Sequence, residues 1–335
     1  MTTIGLMGFG RIGRNVFRLL YGRSDLDVAA ISDIADPESL TYLLRYDSFL
    51  GRFPAPVELQ DSHLIVGDRA IPFLDRAEPG QVDWEEHGVD IVVQATRKHR
   101  TASWTRRHLD AGARYVVLAS VPEDLGELPI VLWGINQDLI GPDNPIVALG
   151  SNTSNAIAPI LQIIDNRFGI DRVFFTTIHG FTNDQRLADV PSGQFRGSRS
   201  AAENIIPTET NSPEILGKVL PGLAGKMQAM ALNVPVSEGS TVDLVTIARE
   251  PTSKEEVNEV IQKEVEARFS EIIEYTTDPI VSSDVVGTHS GIFDSLATMV
   301  VDGTMLKCVV WFDNGWGYAA RVIDTAARYA SEDGS

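Results

Sequence analysis

The sequence predicts an α/β protein in two parts: an N-terminal doubly wound (Rossmann) domain and a C-terminal α+β domain on a mixed, largely antiparallel sheet. Three observations carry this expectation. A glycine-rich turn, Gly8-Phe9-Gly10-Arg11-Ile12-Gly13, closes the first apolar strand. Short apolar strands alternate with helical segments through residues 1–150, as a doubly wound sheet requires. From about Asn155 onward the apolar runs are separated by long connections, the pattern of an antiparallel or mixed sheet.

Taken in order, Thr3 to Met7 reads as a buried strand, and Ile12, Val16, Phe17, Leu19 and Leu20 recur at helical spacing. Asp27 to Ile31 reads as a second buried strand ending at Ser32-Asp33. Between such elements each glycine has its own task. Gly8 permits the tight turn, Gly10 lets the backbone approach a pyrophosphate, and Gly13 lets helix and strand pack closely. The free N–H groups and positive end of the helix then face the pyrophosphate. Asp33 stands twenty residues beyond Gly13, where its carboxylate accepts from adenosine ribose hydroxyls and repels a 2′-phosphate. NAD is therefore the expected cofactor.

Further strands are expected over 90–95, 115–119 and 146–149, with a helix over 100–113. A helix over 156–168 follows, then strands over 173–179, 230–233, 241–248 and 306–312. Thr252-Ser253-Lys254-Glu255-Glu256 is close to a capping box and opens a helix over 252–269. Residues 321–330 form a closing helix that returns to the first domain. The expected domains are thus 1–150, completed by 318–335, and a catalytic domain over 151–317. Gly180 to Pro207 is long, polar and aperiodic, which marks a functional loop or an interface.

Bulk properties narrow the function classes. At 335 residues the chain is long enough for two domains, each with its own core. A net charge of -18 argues against nucleic-acid or anionic-membrane partners. No run approaches membrane-spanning length, and the N-terminus carries no basic-then-apolar signal. One cysteine excludes an intramolecular disulfide framework and fits a reducing cytoplasm. The six histidines show no metal-ligand spacing, so no structural metal is expected.

The chain resembles the phosphorylating glyceraldehyde-3-phosphate dehydrogenase family. The resemblance rests on Gly8 to Arg14, Tyr46-Asp47-Ser48 with Gly51-Arg52-Phe53, and Ser151 to Asn155 before Ala158-Pro159. It continues through Thr177-Ile178-His179, Ser200 to Pro207 and Trp311 to Tyr318. It implies cofactor contacts from Gly8, Phe9, Gly10, Arg11, Ile12, Gly13, Asp33, Thr96, Ser120, Asn314 and Tyr318. It further implies His179 as general base, a homotetramer, and a small-molecule substrate. A structural histidine at a strand end is the plainer reading of His179.

The sequence departs from the family pattern where the chemistry is done. The family's active-site motif is Ser-Cys-Thr-Thr-Asn, and this chain carries Asn152 at the nucleophile position. An amide has no activated lone pair comparable to a thiolate, so thioester chemistry is not expected. Cys308, in an apolar run, reads as core. The family's substrate-phosphate site, which includes Thr182, has Asp184 and Asn233 where a threonine and an arginine are usual. A carboxylate gained and a guanidinium lost reverse its preference for a dianion; one charge pair at 4 Å is worth roughly 4 kcal/mol near a surface. The second anion site reads Thr210-Asn211 in place of Thr-Gly, with Ser151, Thr153, Arg196 and Arg199 left as possible donors. Gly315 replaces the glutamate usual beside Asn314.

Two functions fit this mixture. One is an NAD-dependent oxidoreductase without a thioester, on a substrate other than glyceraldehyde 3-phosphate, with His179 taking a proton and Asn152 orienting the substrate oxygen. The other is a catalytically silent NAD-binding member with a binding or regulatory role. Arg97-Lys98-His99-Arg100 is a basic cluster out of keeping with the overall charge. A grip on a cofactor phosphate, an anionic partner and a solvated face are its three readings.

Overall fold

The structure, a computed structural model, describes residues 1–182 and 185–332. The chain divides into two compact units. One comprises Met1–Val131, Asn136–Gly150 and Tyr318–Ser335; the other comprises Leu132–Ile135 and Ser151–Gly317.

In the first unit the strand Thr2–Met7 runs parallel to Leu26–Ser32 on one side and Ile91–Gln94 on the other. Tyr115–Leu118 and Ile146–Ala148 extend the parallel sheet beyond Ile91–Gln94. Every residue of Ile91–Gln94 and Tyr115–Leu118 is buried, as strands covered on both faces require. On the far side, Arg69–Leu74 pairs with Leu26–Ser32 and leads into antiparallel strands His63–Val66 and Val57–Gln60. After Thr2–Met7 the chain builds strands on one side of it as far as Leu74 and then crosses to Ile91–Gln94 on the other. That reversal opens a crevice outside the carboxyl ends of the strands. Helix Arg11–Leu20 buries Val16, Phe17 and Leu20. The Phe9 ring packs edge-on against Phe17 at 5.7 Å and Phe73 at 5.8 Å, fixing the turn to the sheet.

His108, on helix Ala102–Asp110, is fully buried in this unit. Trp84 Nε1 donates to its Nδ1 at 3.0 Å, so that nitrogen carries a lone pair and the ring is neutral. Burial pushes the His108 pKa down to about 3. The unfolded chain binds this proton near pH 6.5 and the folded chain does not, so the stabilisation is complete above pH 6.5 and is lost as pH falls toward 3. The slope is about 1.4 kcal/mol per pH unit. Between pH 7 and pH 5, wild type is expected to lose about 2 kcal/mol more than His108→Gln in urea unfolding. Equal losses in the two proteins would contradict this.

The second unit is built on a sheet in the order Ile206–Thr208, Met227–Val234, Ile170–Gly180, Ser240–Ala248, Met305–Phe312, Gly291–Val301, Ile273–Thr276. Pairing is antiparallel except between Ile170–Gly180 and Met227–Val234, and between Ile273–Thr276 and Gly291–Val301. Helix Asn152–Phe168 lies buried along most of its length and ends at Gly169, whose φ of 66° suits a residue without Cβ. It starts four residues before the apolar periodicity does, because Ser151 caps it by accepting from Ser154 N at 3.1 Å. Cys308 sits in the core of this sheet, its thiol pushed up to about 12 by burial.

Candidate active site

The residues of the first unit expected to hold the cofactor gather at the carboxyl ends of its parallel strands. Gly8 has φ 99°, and an added Cβ would lie 2.9 Å from the Ala95 carbonyl. An added Cβ on Gly13 would lie 2.1 Å from the Gly8 carbonyl oxygen, so only glycine admits this helix–strand contact. Gly10 differs: nothing lies within 4 Å of the corresponding point. It precedes a helix with no side-chain cap and no acidic residue in its first turn, which leaves the N-terminal amides open to an anion. Asp33 accepts from Phe9 N at 2.6 Å and Ala35 N at 2.9 Å, holding its carboxylate at the end of the second strand. Ser120 Oγ is buried with no partner among the described residues. An open glycine, uncapped amides, a fixed carboxylate and an orphan hydroxyl fit a dinucleotide.

Other expected residues have internal tasks. Arg11 pairs with Asp47 at 2.5 Å, and Ile12 is half-buried in the first turn of the helix. Thr96 Oγ1 donates to Lys98 O at 3.0 Å. Tyr318 OH donates to Gly150 O at 3.0 Å, so its hydroxyl braces this unit. Within the basic cluster, Arg100 Nη1 donates to Val121 O at 2.7 Å, and the His99 ring packs on Trp104 at 4.3 Å.

In the second unit, alternation along Ile170–Gly180 puts Thr177 and His179 on one face. His179 pairs in register with Asn233, and Thr177 with Ala231. The N-termini of helices Asn152–Phe168 and Ser212–Val219 complete a cavity of about 600 Å³ over these four residues. Ser151, Asn152, Thr153, Thr182, Thr210 and Asn211 also line it, so the structure brings together most of the expected substrate residues. Arg196 stands apart from them. It lies on an exposed turn, Arg196–Ser198, next to hydroxyl bonds among Ser192, Gln194 and Ser198, and does not line the cavity. Arg199 pairs instead with Asp189 at 3.2 Å. Asp184 lies outside the described residues.

His179 Nδ1 lies 2.6 Å from Gly180 O. A carbonyl only accepts, so Nδ1 carries the hydrogen and the neutral ring presents its lone pair on Nε2. Burial lowers the His179 pKa and so favours the neutral ring, an effect that the hydrogen bond to Gly180 O opposes. Asn152 Nδ2 donates to Nε2 at 3.5 Å and to Asn314 O at 3.1 Å, while Asn152 Oδ1 accepts from Thr153 N at 2.9 Å. Asn314 is itself fixed: Ser240 Oγ donates to its Oδ1, and its backbone N donates to Glu238 Oε1 at 2.9 Å. Ser151 Oγ, Ser154 Oγ, Ser212 Oγ and Thr210 Oγ1 form a hydroxyl chain between the two helix N-termini.

Two family descriptions match the chain: glyceraldehyde 3-phosphate dehydrogenase, NAD binding domain, over residues 2–102, and glyceraldehyde 3-phosphate dehydrogenase, C-terminal domain, over 151–314. A glyceraldehyde-3-phosphate dehydrogenase of Kitasatospora aureofaciens is 43% identical over 334 residues, covering 99% of this chain and 100% of that protein. This chain belongs to the glyceraldehyde-3-phosphate dehydrogenase family. The same-named protein of Geobacillus stearothermophilus is 41% identical over 331 residues, 98% of each chain. That of Mycobacterium avium is 41% identical over 332 residues, 97% of each. The family assignment makes the chain an NAD-dependent oxidoreductase, and NAD is its cofactor.

Several residues of this family member's cavity escaped the sequence reading. Gln185 Oε1 accepts from Thr182 N at 2.6 Å, and Thr177, Glu209 and Glu214 line the cavity. Thr177 was legible as the same-face neighbour of His179. Glu214 was hidden because an acid in the first turn of a helix reads as a partner for the dipole. Among the described residues no helix is long and apolar enough to cross a membrane, and no cluster of ligating side chains fits a metal ion.

Proposed function

We propose that this chain transfers hydride between NAD and a non-phosphorylated alcohol or aldehyde, without a cysteine thioester. The observation that carries this reading is Asn152 Nδ2 beside His179 Nε2 at 3.5 Å, at the position where the family motif places a thiol. That long contact is a loose bridge between a donor and a base. A substrate hydroxyl entering between them accepts from Asn152 Nδ2 and gives its own proton to Nε2 as its carbon becomes a carbonyl. Nδ1–H···O=C Gly180 holds the ring in the tautomer this needs and stabilises the imidazolium that forms. NAD, when bound, supplies the hydride acceptor. The charged groups lining the cavity among the described residues are carboxylates, which disfavours a phosphate ester.

The test is NADH formation by the NAD-loaded chain with a panel of short alcohols and of non-phosphorylated aldehydes, whose hydrates carry the hydroxyl this step needs, with no inorganic phosphate present. Phosphate-independent turnover is expected. NADH from none of them would overturn the reading in favour of a silent NAD-binding protein.

A homotetramer is part of the same proposal. Phe174, Met230, Leu296, Met299 and Met305 are exposed on strands of the second unit's sheet, apolar surface that a subunit interface would cover. Light scattering is expected to give four times the 36.6 kDa chain mass. A monomer at micromolar concentration would contradict it.

A further inference from the structure

We propose that the cavity of the second unit selects substrates bearing a positively charged group, an ammonium in the first instance, on the carbon chain that also carries the reacting hydroxyl or aldehyde. This rests on the reading above only in taking the cavity as the substrate pocket.

Among the described residues the cavity walls carry two full charges, Glu209 and Glu214, and both are carboxylates. Both residues are exposed, and neither has an ion-pair partner among the described residues. Carboxylates lining a pocket mouth are not in themselves a site. A second, independent feature lies beneath them. Thr177 is 2% exposed, and its Oγ1 has no hydrogen-bond partner among the described residues although it lines the cavity. A buried hydroxyl without a partner costs free energy unless a ligand supplies one. Asn233, 7% exposed, lines the same floor, and its side chain makes no hydrogen bond among the described residues. One wall of the cavity thus asks for hydrogen-bond partners, and its rim asks for positive charge.

Two helix N-termini also reach the cavity, and they favour anions. Each amounts to roughly half a unit charge, against a full unit on each glutamate. The hydroxyls of Ser151, Thr210 and Ser212 are already engaged with one another, so an anion arriving there must break existing bonds. Glu214 stands in the first turn of its helix and offsets that terminus directly. The balance is negative. An ammonium donates three N–H groups, which suits a lining of acceptor-only carboxylates with hydroxyl and amide oxygens.

Three probes of one carbon skeleton separate charge from shape: 3-amino-1,2-propanediol, glycerol and glycerol 3-phosphate. Each is titrated by saturation-transfer NMR into the full NAD-loaded chain at neutral pH. The amine is expected to bind at least tenfold more tightly than glycerol 3-phosphate, with glycerol between. In the double variant Glu209→Gln/Glu214→Gln, at exposed positions, the preference for the amine is expected to vanish. Asn233→Arg is expected to move the order toward glycerol 3-phosphate. Equal binding of the three probes, tighter binding of glycerol 3-phosphate, or an order untouched by the double variant would each overturn the inference, as would failure of the amine to bind. Because binding is read without turnover, an amine that binds yet yields no NADH supports the charge preference while counting against the proposed reaction.

Discussion

His179→Asn is expected to lower kcat by about 10²–10⁴-fold, the usual contribution of a positioned general base. Asparagine keeps hydrogen-bonding capacity at the strand end but has no lone pair that takes a proton at neutral pH. The pH profile separates this from a structural effect. His179 acts as a base only when neutral, and burial lowers its pKa, so the acid limb of kcat/KM in wild type should fall below pH 6.5. Activity that persists through mild acid and declines only beneath that point is the expected profile. The variant should lose that limb along with its rate. Stopped-assay NADH formation across pH 4.5 to 8 measures both. Unchanged turnover in the variant would mean that His179 is structural.

Gly13→Ala and Gly10→Ala should give opposite signatures. At Gly13 the new Cβ meets a backbone carbonyl, which cannot move without displacing the turn. Alanine gains about 1 kcal/mol in helix propensity. Overpacking against a fixed group costs about 1–3 kcal/mol or more, so steric strain prevails and the protein is destabilised. NAD binding falls with it, since the turn that receives the pyrophosphate is pushed away from the strand. At Gly10 the Cβ enters open space. Stability should change by less than about 0.5 kcal/mol, whereas NAD affinity should drop at least tenfold because the methyl occupies the approach of the pyrophosphate. Urea unfolding of the apo chain and an NAD titration separate the two. Equal NAD affinity in Gly10→Ala and wild type would contradict the assigned approach.

The parts of the molecule legible in the sequence are those that backbone geometry dictates locally. The glycine turn, the buried strands around it and the carboxylate of Asp33 each follow from a constraint a few residues long. Gly291–Val301 escaped because Asp294 and Ser295 break its alternation, and the structure shows a register shift between Asp294 and Met299. The antiparallel strands from Val57 to Leu74 escaped because each is short and flanked by charges. In the site, His179 and Asn152 were legible by resemblance, since Thr177-Ile178 precede the one and Ser151, Thr153 and Asn155 flank the other. Arg196, expected from the same resemblance, lies on an exposed turn outside the cavity lining, because an arginine's position in a motif does not fix where such a turn carries it. Glu209 and Glu214 depend on how two helix N-termini meet a sheet, a relation no local pattern encodes.

A family member that carries Asn152 is proposed to have left thioester chemistry. The most direct test is NADH formation from glyceraldehyde 3-phosphate and inorganic phosphate by the NAD-saturated chain, after NAD binding has been shown by titration. NAD should bind, and no phosphate-dependent NADH should form. Phosphate-dependent turnover at a rate above that of Asn152→Ala would show that the amide takes part in acyl transfer and would contradict the claim.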